Sequence, residues 1–150
     1  MPVKGLANSG LVEAGGWRKV ADPYGSGEVV VIPAIAPDWA VVHVHECDAA
    51  GNAFVEGSRY DDILLARASR QVLVTCERIV PAPRFVENPG RTAIPGFTVD
   101  LVAEVAGGAR PTSCGGLYPY DRDFLTGYLQ AAGDDDRYRE FLAQRVFGWD

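Results

Sequence analysis

The feature that most constrains this fold is a strand–helix–strand pattern between residues 39 and 76. Residues 39–44 form an apolar run introduced by Pro37-Asp38, and residues 71–76 (QVLVTC) form another. Between them lies SRYDDILLARASR, where Ser58 and Asp61 have the spacing of a weak capping box and Ile63, Leu64 and Ala68 supply a helical face. This places a helix over about residues 60–69. Strand, helix and strand at this distance make a βαβ unit with a right-handed crossover. Residues 29–32, a β-branched run bounded by Gly25, Gly27 and Pro33, read as a further buried strand. Runs without polar alternation indicate strands covered on both faces, as in a mostly parallel sheet. The expected fold is therefore α/β: a mostly parallel sheet with flanking helices, one domain over residues 1–150. A chain of this length buries roughly 70% of its unfolded surface and needs no covalent staples.

The flanking sequence is less regular. No strand or helix pattern precedes about residue 17. Residues 48–57 form a loop around the turn pair Gly51-Asn52. Pro81, Pro83, Pro89 and Pro95 argue against a helix or central strand over residues 81–95. Residues 98–105 alternate, with Val99, Leu101, Ala103 and Val105 on one face, which suggests a strand near an edge that ends at Gly107-Gly108. Two amphipathic helices follow. Asp121 caps the first, which carries Phe124, Leu125, Tyr128 and Leu129 on one stripe and stops at Gly133. Three aspartates, Asp134, Asp135 and Asp136, open the second, which turns Tyr138, Phe141, Leu142 and Val146 inward and ends at Gly148.

Charge and composition narrow the function. A net charge of −6 argues against a general nucleic-acid binder, which needs a basic face. It leaves room for a local positive pocket that takes a small anion. The longest apolar stretch, residues 29–44, is cut by Pro33, Pro37 and Asp38, so no membrane span is expected, and the first sixteen residues lack the apolar core of a signal peptide. Three cysteines without CxxC spacing read as reduced thiols in a cytoplasmic protein. His43, His45 and Cys47 share one strand face at i, i+2 and i+4 spacing, a possible zinc set, but no fourth ligand is near and no metal is expected. The glycine-rich segments lack phosphate-loop spacing, and Cys114 has no base nearby in sequence. Glu46 and Glu77 stand at the carboxyl ends of expected strands, where α/β sheets bind ligands, with Asn52 in the adjoining loop. The alternative for the two glutamates is a solvated strand end or a structural ion pair with Arg78 or Arg84.

Taken in order, these segments resemble a known family. IPAIAPDWAVVHVHECDAAGNAFVEG, then DDILLARAS, then VLVTCERIV resemble the α subunit of class I CoA-transferases. PGFTVDLVAEVAGGARPTSCGGLYPYDRDFLTGYL is similar to the tail of the glutaconate CoA-transferase type. The resemblance runs from about Pro2 to Gly148 and implies the C-terminal half of an α subunit, with the NagB/RpiA-like sheet of that family. It implies a hetero-oligomer whose partners are the N-terminal half of the α subunit, which has no counterpart here, and a β subunit. In the family, a β-subunit glutamate attacks the acyl-CoA, passes through a mixed anhydride and becomes a glutamyl-CoA thioester, from which a carboxylate acceptor takes the CoA. No catalytic residue is then expected in this chain, which would be inactive alone, and no cofactor beyond the coenzyme A thioester substrate. The PVKG opening puts Lys4 where the family carries arginine, which keeps the charge and loses the planar fork. The residues expected to bind substrate are Lys4, offering charge to a carboxylate or phosphate, Asn52, holding a carbonyl or shaping its loop, and Glu77, anchoring a strand end. Two alternatives stand beside this: a hydrolase subunit of the same family acting on a cyclic acyl-CoA, and a non-catalytic assembly module.

Overall fold

A computed structural model describes residues 2–148. The chain divides into two compact units, Met1–Pro37 and Asp38–Asp150. The first holds β1 (Pro2–Val3), α1 (Leu11–Ala14), β2 (Arg18–Ala21) and β3 (Glu28–Val31), with the strands in the order β1-β3-β2, all antiparallel. The strand expected at residues 29–32 is thus present, but it belongs to a small antiparallel sheet of its own. The reason is the short turn between β2 and β3, closed by the Asp22 N–H on the Gly27 carbonyl, since so short a link joins only antiparallel neighbours. Val29 and Val30 are buried. The stretch before residue 17 holds β1 and α1 after all, and elements of two and four residues are too short to leave a periodic signature.

The second unit contains the βαβ core. Its elements are β4 (Trp39–Cys47), β5 (Ala53–Phe54), α2 (Asp62–Ala68), β6 (Gln71–Ile79), α3 (Pro83–Val86), β7 (Leu101–Glu104), α4 (Arg122–Ala131) and α5 (Asp135–Arg145). The sheet order is β5-β4-β6-β7; β4, β6 and β7 run parallel and β5 antiparallel. Ala40, Val42 and Val44 of β4 pair with Val72, Val74 and Cys76 of β6, and all six are buried. Ile94, fully buried, joins that core. Val41 and Trp39 are exposed, so β4 is closed on both faces only over its last residues. No helix among the described residues is long and apolar enough to cross a membrane.

Several local expectations change. α2 buries Ala66 and half-buries Ile63, while Leu64 points to water, and no side-chain cap forms at its start. β7 is an edge strand, but its inward residues are out of phase with the pattern: Val99 and Val102 pack on the core, and Leu101 and Val105 are exposed. A 3₁₀ turn at Gly96–Thr98 shifts the strand's start, and the Val72 N–H donates to Asp100 Oδ2 at 2.7 Å to fix the new register. The proline-rich segment is not purely extended. Pro83 opens α3, which buries Phe85, and Pro89 opens a 3₁₀ turn at Pro89–Arg91; at a first position the missing N–H costs nothing. Asp121 and Asp134 cap α4 and α5 by accepting the N–H groups of Phe124 and Arg137. The helices meet through Phe124 on Phe141, ring centroids 5.2 Å apart, while Val146 stays exposed.

Candidate functional site

A cavity of about 440 Å³ lies where β4 and β6 end, in the position the parallel sheet favours for ligands. His45 and Glu46 of β4, Glu77 and Arg78 of β6, and Phe54 of β5 line it. Arg84 from α3, Arg91 from the following 3₁₀ turn, Glu56 and Leu117 complete the wall. Glu46 is its charged centre, with a side chain only 5% exposed. Its two oxygens accept from Arg84 Nε at 2.5 Å, Arg84 Nη2 at 2.8 Å, Arg91 Nη2 at 3.3 Å and Arg78 Nη2. Burial pushes the Glu46 carboxyl up, but the hydrogen bonds and charges of Arg84 and Arg78 outweigh it and hold the group at about 2. The guanidinium of Arg91 also lies over the Phe54 ring, 3.8 Å from its centroid. Arg78 and Arg84 are the partners that the strand-end reading of Glu46 anticipates. Arg91 and Phe54 escape that reading, because only the turn at Pro89 brings the arginine back to the strand end.

A neutral-to-acidic network forms the other side. His43 Nε2 meets Glu77 Oε1 at 2.7 Å, and its Nδ1 meets Thr75 Oγ1 at 2.9 Å. The Gly107 N–H donates to Glu77 Oε2 at 2.8 Å, and Tyr118 Oη donates to Oε1. Burial raises the Glu77 carboxyl; Gly107, Tyr118 and His43 together bring it below the usual range. Glu77 is therefore an ionised, fully engaged acceptor that ties β6 to two loops. His45 Nε2 donates to the Gly115 carbonyl at 2.7 Å, and its Nδ1 accepts the Glu56 N–H at 3.2 Å, which fixes the tautomer. Cys114 Sγ lies 3.5 Å from His45 Nε2, so a base does stand near this thiol despite the distance in sequence. That nitrogen already carries its proton, and burial, then Glu77 and Glu56, raise the Cys114 pKa. No activated thiolate results.

The strand-face zinc set does not assemble. Cys47 is buried against Cys76, Sγ to Sγ 2.8 Å, with its thiol pushed up by burial first and by Cys76 next. His43, Glu77 and Cys114 instead bring donor atoms within 4.8 Å of one another. Both His43 nitrogens and both Glu77 oxygens already have protein partners, so the group is satisfied as it stands. Of the expected binding residues, Lys4 belongs to the first unit, where its ammonium pairs with Asp22 at 3.0 Å. Asn52 is a loop clamp: its Nδ2 donates to Asp48 Oδ2 at 2.9 Å and its Oδ1 accepts the Gly96 N–H at 3.0 Å. The left-handed position of this turn is taken by Gly51, at φ +87°. Gly96 sits so close that a Cβ there would lie 2.2 Å from the Ala50 carbonyl oxygen. Glu77 lines the cavity and Asn52 does not.

Residues 5–105 match the coenzyme A transferase family, and the chain belongs to it. It is 31% identical over 132 residues to one subunit of the glutaconate CoA-transferase of Acidaminococcus fermentans, a match that covers 87% of this chain and 41% of that protein. It is 29% identical over 159 residues to the cholesterol ring-cleaving hydrolase IpdA subunit of Mycobacterium tuberculosis, covering 99% of this chain and 54% of the other. The chain spans between about a third and about half the length of the curated relatives it matches. Among solved structures, glutaconate coenzyme A-transferase from A. fermentans superposes with a TM-score of 0.88 at 25% identity, over 100% of this chain and 53% of that one. A variant of the decarboxylase AibA/AibB gives 0.81 at 36% identity, over 98% and 53%. The α/β fold with a mostly parallel sheet is thus the fold of this family.

Proposed function

We propose that this family member is the C-terminal half of a CoA-transferase α subunit, which moves CoA between an acyl-CoA and a carboxylic acid together with partner chains. The observation that carries the reading is the whole-chain likeness to the glutaconate coenzyme A-transferase structure, coupled to a cavity at the carboxyl ends of the parallel strands. The engagement of this unit's own strand-end carboxylates supports the need for partners. Glu46 and Glu77 each accept several hydrogen bonds, and neither offers an open oxygen for attack on a thioester. In this reading the nucleophile arrives from a β subunit. In the second unit Asn52 and Glu77 hold loops beside the strand ends; Lys4, in the first unit and paired there with Asp22, is the residue that would offer charge to a substrate carboxylate or phosphate.

The experiment is reconstitution. The chain is co-expressed with the products of neighbouring open reading frames, and CoA transfer from a panel of acyl-CoAs to carboxylic acids is followed by mass spectrometry of both thioesters. New acyl-CoA formed by the mixture and not by the chain alone is the expected result. Release of free CoA or of a ring-opened product without transfer replaces transfer by hydrolysis. No turnover in any combination, with the chain folded, overturns the enzymatic reading in favour of an assembly module.

A further inference from the structure

We propose that Arg78, Arg84 and Arg91 form a subsite for an oxyanion of the substrate, a carboxylate or phosphate group, at the Phe54 end of the cavity. The inference rests on the functional reading only for the identity of the molecule that carries the anion. The cluster's charge is the first ground. Three guanidiniums face one carboxylate, Glu46, which leaves two positive charges unmatched within the cluster. The other carboxylates of the cavity do not supply the match. Glu77 is engaged by His43, Tyr118 and Gly107, and among the described residues Glu56 pairs with none of the three arginines. Like charges gathered beside a buried wall repel one another unless an anion joins them.

Unused donors are the second ground. A guanidinium offers about five N–H groups in a planar fork. Arg78 and Arg91 each give one to Glu46, and Arg84 gives two. Arg91 Nε is buried and donates to no acceptor among the described residues. Burying a donor without a partner is costly, and the other unused N–H groups stand on guanidiniums that line the cavity. The Phe54 ring beneath Arg91 and the Glu46 carboxylate beside it hold the guanidinium plane, so its donor edge is set before any ligand arrives. Space is the third ground, because the adjoining cavity of about 440 Å³ has room for the group that bears the anion. The chain as a whole is acidic, with a net charge of −6, so the three clustered arginines stand out against its overall balance.

The test titrates the full chain, at low ionic strength, with inorganic phosphate and separately with glutarate, by isothermal calorimetry. Arg91→Gln and Arg78→Gln are compared with wild type; both leave the two-bond Arg84–Glu46 pair in place, and circular dichroism checks their fold. Arg91→Lys, which keeps the charge and loses the fork, provides a second reading at the same position. Arg18→Gln, in the other unit, is the control. The expected result is saturable binding that weakens at least tenfold in Arg91→Gln and Arg78→Gln, only partly recovers in Arg91→Lys, and is unchanged in Arg18→Gln. Tighter phosphate binding assigns the subsite to a phosphate of the CoA, and tighter glutarate binding to a substrate carboxylate. No saturable binding of either anion, or equal binding by the arginine variants and wild type, overturns the subsite. The two proposals fail separately. Normal CoA transfer by a reconstituted Arg91→Gln enzyme with unchanged KM removes the subsite and keeps the function. Arginine-dependent anion binding without any CoA transfer does the reverse.

Discussion

Replacing Glu46 with glutamine tests the charge centre of the site most directly. The carboxylate is 5% exposed and accepts four N–H groups from three arginines. In the folded chain its carboxyl sits at about 2, against an ordinary 4.5. Because the folded value is depressed, the stabilisation is complete above about pH 4.5 and is lost as pH falls towards 2. A depression of this size corresponds to about 3 kcal/mol at neutral pH. Arg78 and Arg84 are half in water, so screening brings the figure nearer 2–3 kcal/mol, an order-of-magnitude value. Glutamine keeps the shape and removes the charge, leaving three guanidiniums to repel one another. At pH 7 Glu46→Gln should lose about 2–3 kcal/mol in urea denaturation, or roughly 4–12 °C in melting temperature for a chain of this size. At pH 2.5 the wild-type carboxyl is itself partly protonated, and the two proteins should differ much less. A variant within about 0.5 kcal/mol of wild type at pH 7 would refute the reasoning. A gap that persists undiminished at pH 2.5 would assign the loss to packing instead of charge.

Four further outcomes follow from the geometry. Asn52→Ala breaks both clamp bonds, to Asp48 and from Gly96, and should cost about 1–3 kcal/mol in urea denaturation; Asn52→Gly should cost as much, because Gly51 already takes the left-handed position, and a wild-type midpoint for either would show that the clamp is idle. Tyr118→Phe removes one donor from Glu77, so carboxyl-carbon NMR titration should find the Glu77 pKa raised toward the usual range, whereas an unmoved titration would mean that His43 and Gly107 suffice. Cys47, Cys76 and Cys114 are buried, and burial raises the Cys47 and Cys114 thiols, so Ellman's reagent at pH 7.5 should find no fast thiol in the native chain and three after denaturation; one fast native thiol would contradict the environment described for Cys114. Asp121→Ala removes the α4 cap and should cost about 1 kcal/mol, read as a lower melting temperature.

The βαβ core was legible because Ala40, Val42 and Val44 against Val72, Val74 and Cys76 form a dense apolar pairing with one helix between them. The strands run further than the apolar pattern, to Cys47 and Ile79, and the added residues explain why. Glu46, Glu77 and Arg78 stay within strands because ion pairs and hydrogen bonds satisfy their polar atoms, which no hydropathy pattern records. The edge strand β7 failed differently. Val99 and Leu101 share a period-two face only if the strand begins before residue 99, and the 3₁₀ turn at Gly96–Thr98 breaks that phase. In the first unit the strand at Glu28–Val31 was visible, but its partners were not, because β1 has two residues and β2 is exposed throughout. The site was legible in position and partly in membership. Glu46 with Arg78 or Arg84 could be read from strand ends and charge, whereas Arg91 depends on a proline turn, and the approach of His45 to Cys114 spans 69 residues.

The geometry also bears on whether this chain's own carboxylates are suited to nucleophilic attack. An attacking carboxylate needs an accessible oxygen and enough basicity to form an acyl bond. Glu46 has four donors on its two oxygens and is held at about 2, and Glu77 has three donors and a lowered pKa. Each added donor stabilises the carboxylate as it stands and lowers its tendency to attack. Freeing Glu77 would break the Tyr118 and Gly107 contacts that shape the cavity, and freeing Glu46 would bring three guanidiniums together without a counter-charge. Cys114, the other reactive residue type at the site, is kept as a thiol by burial and faces a histidine nitrogen already committed as a donor. The arrangement is therefore suited to holding an anion and a fixed cavity wall. Under the proposed reading the covalent step falls to a carboxylate on another chain, and a reconstituted enzyme should then keep turnover in Glu77→Gln better than in any variant of that partner carboxylate.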